Sequence, residues 1–260
     1  MGDMNQNKYF KSNKENWNNR VLIHKDSSFY DLKGFRSGKN MLNSIELDEV
    51  GDVNGKSLLH LQCHFGLDTM SWARLGAKVT GVDFSDEAIK VAKNLNAELD
   101  LNANFVCCNV YDLKEHLTGQ FDVVFASYGV IGWLPDLDIW AEIVHHFLKP
   151  GGMFYLAEFH PFVWMFDDDF TKISYSYFNE GVIEIDQEGT YADKNSDFKH
   201  KEYSWNHPMS EVVNALLRQG LHIELLNEYD YSPYDCFPDM IKNKEGNFQL
   251  KEYKNILPMV

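Results

Sequence analysis

Residues Leu58 to Asp83 read LLHLQCHFGLDTMSWARLGAKVTGVD, and the order of patterns in this stretch decides the fold. A short apolar run, Ser57 to Leu61, leads into a loop that carries Gly66. A helix is expected over Asp68 to Leu75, closed by Gly76, before a second apolar run from Lys78 to Val82 that is followed by Asp83. Strand, bent loop, helix and a strand with a terminal acid make the first half of a doubly wound α/β sheet. In that arrangement the loop backbone can approach a ligand and the helix N-terminus favours negative charge. A carboxylate after the second strand can accept hydrogen bonds from a ribose diol. The stretch therefore predicts a nucleoside site built around Gly66 and Asp83.

The loop composition narrows the nucleoside. A dinucleotide site needs G-x-G-x-x-G, and Gln62-Cys63-His64-Phe65-Gly66 has one glycine where three are wanted. This argues against a nicotinamide-dependent oxidoreductase. Alternation then continues, with helices expected at Asp86 to Asn94 and Leu137 to Leu148 and strands at Asn104 to Cys107, Phe121 to Ala126 and Met153 to Glu158. Ser85 and Asp136 are placed to cap helices, and Pro150-Gly151-Gly152 to break the chain before a strand.

After Pro161 the aromatic and β-branched residues alternate, broken at Asn179-Glu180-Gly181 and near Asp193 to Asp197, which predicts an antiparallel insertion. It leaves the carboxyl end of a core strand, where open α/β sheets hold ligands, so a substrate lid is expected. A helix at Ser210 to Gln219, a strand HIELL (His222 to Leu226) and a short closing strand within Asn255 to Val260 follow. The expected architecture is Rossmann-like: a seven-stranded, mostly parallel sheet with helices on both faces, plus an antiparallel β insertion after the fifth strand. One domain is expected, with a helical cap over 1–54, a core over 55–161, the insertion over 162–206 and completing elements over 207–260.

At 260 residues, 44% hydrophobic and 24% charged, the chain has ordinary globular composition. No apolar run approaches the ~20 residues of a membrane span, and the polar N-terminal stretch lacks a signal-like apolar core, so a cytoplasmic protein is expected. The formal charge of −15 repels phosphate backbones, and Lys and Arg are scattered, so nucleic-acid partners are not expected. The same field favours neutral or cationic small molecules. Cys63, Cys107, Cys108 and Cys236 have neither C-x-x-C nor metal spacing and are read as packing residues. His145 and His146 are expected on a helix's solvent face, and no metal site is expected.

The motifs LHLQCHFG (Leu59 to Gly66), VTGVDFS (Val79 to Ser85), FVCCNVYDL (Phe105 to Leu113), FDVVFASYGVIGWLPDL (Phe121 to Leu137), LKPGGMFYLAEFHP (Leu148 to Pro161) and WNHPMSEVVNALLRQGLHIELLNEYDYSPY (Trp205 to Tyr234) follow one another along most of the chain. In this order they resemble class I S-adenosylmethionine-dependent methyltransferases, in a variant subgroup with LHLQCHFG in place of the glycine-rich first motif. His60 stands where that family usually has an acid, and Gln62 and His64 replace the first two glycines.

The resemblance implies S-adenosylmethionine as cofactor and a small-molecule acceptor. It implies cofactor contacts from His60, Gln62, His64 and Gly66 near the methionine moiety, from Asp83 and Phe84 near the ribose, and from Asn109 and Val110 at the adenine. Ser127, Tyr128 and Gly129 would lie beneath the transferring methyl group. An N-terminal helix over the cleft would bring Trp17, Arg20 or Tyr30 to the methionine end. His160 is the leading candidate base, with Tyr128, His64 and His207 competing, and Trp133, Trp164 and Trp205, with Tyr175 and Tyr177, are candidates to line the acceptor pocket. The alternative reading is a non-catalytic protein that binds the cofactor or a partner on the same fold.

Overall fold

A computed structural model describes residues 2–194, 196–254 and 256–260. Three helices come first: α1 Gly2–His24, α2 Leu32–Arg36 and α3 Ser44–Val50. Then follow β1 Ser57–Leu61, α4 Leu67–Arg74, β2 Lys78–Asp83, α5 Asp86–Glu98 and β3 Asn104–Cys107. The alternation continues through α6 Leu113–His116, β4 Phe121–Ser127, α7 Leu137–Phe147 and β5 Leu148–Ala157. The five strands form one sheet in the order β3-β2-β1-β4-β5, with β1 parallel to β2 and β4 and β2 parallel to β3. The strand order reverses at β1, the switch point where such sheets open a crevice beyond their carboxyl ends.

The elements follow from local sequence. Leu58, Leu59, Leu61, Val79 and Val82 are at most 1% exposed, as expected for strands covered on both faces. Helix α5 buries Ala88, Ile89, Ala92 and Leu95 along one face, and Ser85 Oγ caps it by accepting the Ala88 N–H at 3.1 Å. Asp136 Oδ1 accepts the N–H groups of Asp138 and Ile139 at the start of α7.

The insertion supplies β6 Ile183–Glu188 and β7 Lys199–Ser204, a two-stranded sheet of their own. Helix α8, Met209–Arg218, buries Val212 and Ala215. The chain then forms an antiparallel pair, β8 Met240–Lys242 with β9 Phe248–Leu250.

Some expectations change. The main sheet has five strands rather than seven among the described residues. His222 to Leu226 forms no strand and leaves Ile223, Leu225 and Leu226 exposed. No strand forms over 256–260 either, and Asn255 lies outside the described residues. The tail instead shares backbone bonds with Tyr229 and His160: Tyr229 N–H donates to Val260 O at 2.8 Å, Met259 N–H donates to Tyr229 O at 2.7 Å, and His160 N–H donates to Met259 O at 3.0 Å. Strand β5 starts at Leu148, five residues early, because Pro150 is tolerated at the end of the strand order, where its missing N–H breaks no interior ladder. Cys107 is exposed rather than packed.

The chain divides into two compact units. One runs to Ala126 and includes Glu142–Leu156 and Asp186–Glu202; the other comprises Ser127–Ala141, Ala157–Ile185 and Tyr203–Val260. No helix among the described residues is long and apolar enough to cross a membrane.

Candidate functional site

In the first unit, the loop after β1 turns through Gln62, His64 and Gly66 with φ of 55°, 52° and 77°. Left-handed backbone of this kind costs a residue with a Cβ about 1–2 kcal/mol. These are the three alternate positions at which the usual glycine-rich motif has glycine. At two of the three, this chain carries a side chain on left-handed backbone. At Gly66 the glycine is required twice over, by its positive φ and by β3, since a Cβ would lie 2.5 Å from Phe105 Cε1.

The loop is stapled to the end of β2. Cys63 N–H donates to Val82 O at 2.8 Å, and His64 N–H donates to Asp83 Oδ2 at 2.8 Å. Asp83 Oδ1 accepts the Ser85 N–H at 2.9 Å. Burial pushes the Asp83 carboxyl up to about 6, against the opposing N–H bonds of Ser85, His64 and Phe84. A carboxylate offers about four lone-pair sites, so these three N–H groups leave room for a further donor.

Helix α1 covers this region with an unusual face. Its buried residues recur at helical spacing but are mostly polar: Asn13, Asn16, Arg20 and His24, with Val21. Docking is specific, because Asn18 Oδ1 accepts the Ser85 hydroxyl at 2.6 Å and Lys14 pairs with Asp86 at 2.8 Å. The His64 imidazole is ringed by Trp17, His24 and Tyr30, each with centroids 5.3 Å away, and by Phe65 at 4.2 Å.

Insertion residues of the same unit meet α1. Arg20 bonds Glu202 and lies 2.8 Å from His200 Nε2, and its guanidinium sits 5.1 Å from the Trp17 ring. Tyr191 packs on His24 at 4.7 Å, and its hydroxyl lies 2.5 Å from that of Tyr30.

Several buried polar atoms here have no hydrogen-bond partner among the described residues: both ring nitrogens of His64, His24 Nε2, His200 Nδ1, and both amide atoms of Asn16. Each such atom costs about 1–3 kcal/mol when left unmade, so a cluster of them on one surface calls for an explanation such as a polar ligand. Burial holds His24 down to about 3, with the nearby charge of Arg20 adding to the effect. His64 is held well below the usual range by burial and by His24 and Arg20. Both imidazoles are therefore neutral, each with one nitrogen to donate and one to accept.

The other candidates in this unit differ in kind. His60 is a core residue rather than a loop contact: it is 3% exposed, lies 2.8 Å from Thr69 Oγ1, meets the Phe125 ring edge-on, and is held down to about 3 by burial. Asn109 Oδ1 accepts the Tyr111 N–H at 3.1 Å and so caps the turn after β3. Val110 is buried, and Phe84 is half-buried.

In the second unit, β4 ends at Ser127 and turns through Tyr128, at φ 46°, and Gly129. The turn is held by a residue the sequence did not single out. The half-buried Glu158 carboxylate accepts the N–H groups of Gly129, Val130 at 2.8 Å, Ile131 at 3.1 Å and Phe159 at 2.7 Å. Burial pushes its carboxyl up, and these N–H groups oppose the shift. The available signal was a lone acid closing the apolar run MFYLA, opposite the SYGVIG turn.

His160 has both ring nitrogens engaged. Nδ1 accepts the Phe162 N–H at 3.2 Å and Nε2 lies 2.9 Å from Glu228, while its backbone N–H donates to Met259 O. Burial lowers it, against the raising effect of Glu228. Its expected role as a proton acceptor gives way to one that holds the tail, because neither nitrogen carries an idle lone pair. His207 is likewise buried, between Leu134 O at 2.8 Å and Glu211 at 3.2 Å.

Of the aromatic candidates, Trp205 is 6% exposed and its N–H bonds Gly132 O, so it is core rather than pocket wall. Trp164 is exposed and packs against Phe159 and Phe237. Trp133 and Tyr175 are half-buried, and the Tyr177 hydroxyl accepts the Met209 N–H at the start of α8. Tyr128 packs on Phe159 and Tyr234. His145 and His146 are exposed, and the described residues contain no group of three or more His, Cys, Asp or Glu placed to hold a metal.

Known proteins share this fold. Residues 59–154 match the family described as a methyltransferase domain. A ubiquinone biosynthesis O-methyltransferase of Xanthomonas oryzae pv. oryzae is 33% identical over 132 residues, covering 50% of this chain and 55% of that protein. The mitochondrial ubiquinone biosynthesis O-methyltransferase of Homo sapiens is 26% identical over 241 residues, covering 89% of this chain and 59% of that protein. The chain thus spans little more than half the length of these relatives. Among solved structures, an S-adenosylmethionine-dependent methyltransferase from Mesorhizobium loti superposes with a TM-score of 0.53 at 22% identity, over 75% of this chain and 87% of that one. One from Clostridium acetobutylicum gives 0.53 at 17% identity, over 80% and 86%.

Proposed function

We propose that this chain, which carries a methyltransferase domain on the class I fold, transfers a methyl group from S-adenosylmethionine to a small-molecule acceptor. The observation that carries the reading is the left-handed loop at Gln62, His64 and Gly66, stapled to Asp83 and covered by the polar face of α1.

The residues present fit the cofactor. Asp83 retains acceptor capacity for the ribose diol, and Asn16, His64 and Arg20 supply donors of the kind a methionine carboxylate needs. When bound, the cofactor supplies an electrophilic methyl group on a sulfonium. The chain's own residues then align the reactants and exclude water; Trp17, Tyr30, Phe65 and Tyr191 wall the loop side with rings. Positioning of this kind is worth up to ~7–11 kcal/mol, more than one acid–base residue commonly adds, so the occupied nitrogens of His160 are no obstacle.

The names of the curated relatives favour an oxygen atom as acceptor. Titration calorimetry with S-adenosylhomocysteine and with NAD tests the site, with heat expected from the first alone. Transfer of labelled methyl into a metabolite pool tests the activity, and cofactor binding without any transfer would support the non-catalytic alternative.

A further inference from the structure

We propose that Glu202 is an internal competitor for Arg20: its carboxylate holds the seat that the cofactor's methionine carboxylate takes, and the segment Lys199–Glu202 lets go of α1 as the cofactor enters. This rests on the cofactor reading above and assigns a regulation to the same site.

Arg20 lies on the buried polar face of α1, and its charge is close enough to disfavour protonation of both His24 and His64. The guanidinium therefore belongs to the same cluster as the partnerless atoms of Asn16, one turn earlier on that face, and of His64. The negative charge opposite Arg20 comes from the protein itself. The pair is nearly enclosed, with 6% of the Arg20 side chain and 15% of the Glu202 side chain exposed.

Glu202 makes its contact through one oxygen, Oε1, which it shares with His200 Nε2 at 3.0 Å. An arginine can instead take a carboxylate on two prongs, so a ligand that brings its own carboxylate makes the better partner. That ligand would also place polar atoms against Asn16 and His64, which Glu202 leaves without partners. Tyr191 also secures the same insertion to the α1–α2 connection through Tyr30 and His24, so release of Glu202 leaves that attachment in place.

The test compares S-adenosylhomocysteine with 5′-methylthioadenosine, which keeps the nucleoside and thioether but lacks the amino-carboxylate end. Glu202→Gln is expected to tighten S-adenosylhomocysteine binding about tenfold, from the worth of one hydrogen bond to a charged group, and to leave methylthioadenosine unchanged. Arg20→Met is expected to reduce the two ligands to similar affinity, and adding Glu202→Gln to it should change nothing further. Glu202→Asp, which keeps the charge and shortens its reach, is expected to shift binding in the same direction by a smaller factor, and serves if the Gln variant folds poorly.

Weaker or unchanged S-adenosylhomocysteine binding in folded Glu202→Gln, or an equal change for both ligands, would overturn the competitor role and make Glu202 a permanent partner of Arg20. Failure of the wild-type chain to bind either nucleoside would instead remove the cofactor reading, and the competitor with it.

Discussion

Lowering the pH from 7.5 to 5 is expected to weaken S-adenosylhomocysteine binding about tenfold, and the cause is Asp83. Its carboxyl is pushed up to about 6 by burial. A group with that pKa is almost wholly ionised at pH 7.5 and roughly one-tenth ionised at pH 5. In the proposed site the ionised form is the one that accepts from the ribose diol, so binding would depress the pKa, with affinity complete above about 6 and lost as pH falls through it.

The imidazoles nearby do not blur the effect. His24 and His60 are held down to about 3 and His64 well below its usual range, so all three stay neutral across the window. Calorimetry in buffers of different ionisation enthalpy reads both the affinity and the released proton, about half a proton per site near pH 6. Asp83→Asn should weaken binding at pH 7.5 by about 1.5–3 kcal/mol and abolish the pH dependence. An affinity that stays flat from pH 5 to 7.5 in the wild-type chain would refute the reasoning.

The sign reverses for stability without ligand. The folded pKa of about 6 lies above the ordinary aspartate value, so the folded state keeps a proton that the unfolded state gives up. Asp83's contribution is present below about pH 4 and lost as pH rises through 6, by roughly 3 kcal/mol. Urea unfolding of wild type against Asp83→Asn should show that difference.

Three further outcomes follow from the geometry. Gly66→Ala is expected to destabilise by about 2–4 kcal/mol, combining left-handed strain with the Phe105 clash, and Phe105→Leu in the same chain should recover part of it in urea melts. Glu158→Gln should cost about 2–3 kcal/mol, because an amide nitrogen cannot accept the N–H groups that bind the carboxylate, and kcat should fall as the Tyr128–Ile131 turn loosens. His160→Gln should lower the melting temperature yet leave the pH–rate profile unshifted; a lost ionisation in that profile would restore His160 as a base.

Much of the scaffold was legible because strand and helix periods are written in consecutive residues. The runs at Ser57 to Leu61 and Asn104 to Cys107 were placed to the residue, and Ser85 and Asp136 cap the helices they were expected to cap. HIELL failed for a physical reason: a strand exists only if another backbone answers its N–H and C=O groups, and alternation does not encode that partner. Asp83 was visible as an acid closing an apolar strand. Glu158 is equally placed, but its partners are backbone groups nearly thirty residues away, which no local pattern marks.

By itself, then, the order of residues determined the alternating α/β scaffold, the bend after β1 and the acid after β2, all products of short-range periodicity and capping. Only the folded chain decided that Gln62 and His64 would adopt a glycine-like backbone, that α1 would bury a polar face, and that Arg20 would meet Glu202, 182 residues away. The reason is that burial and charge pairing belong to surfaces brought together by chain closure, and no local window of sequence contains both sides of such a surface.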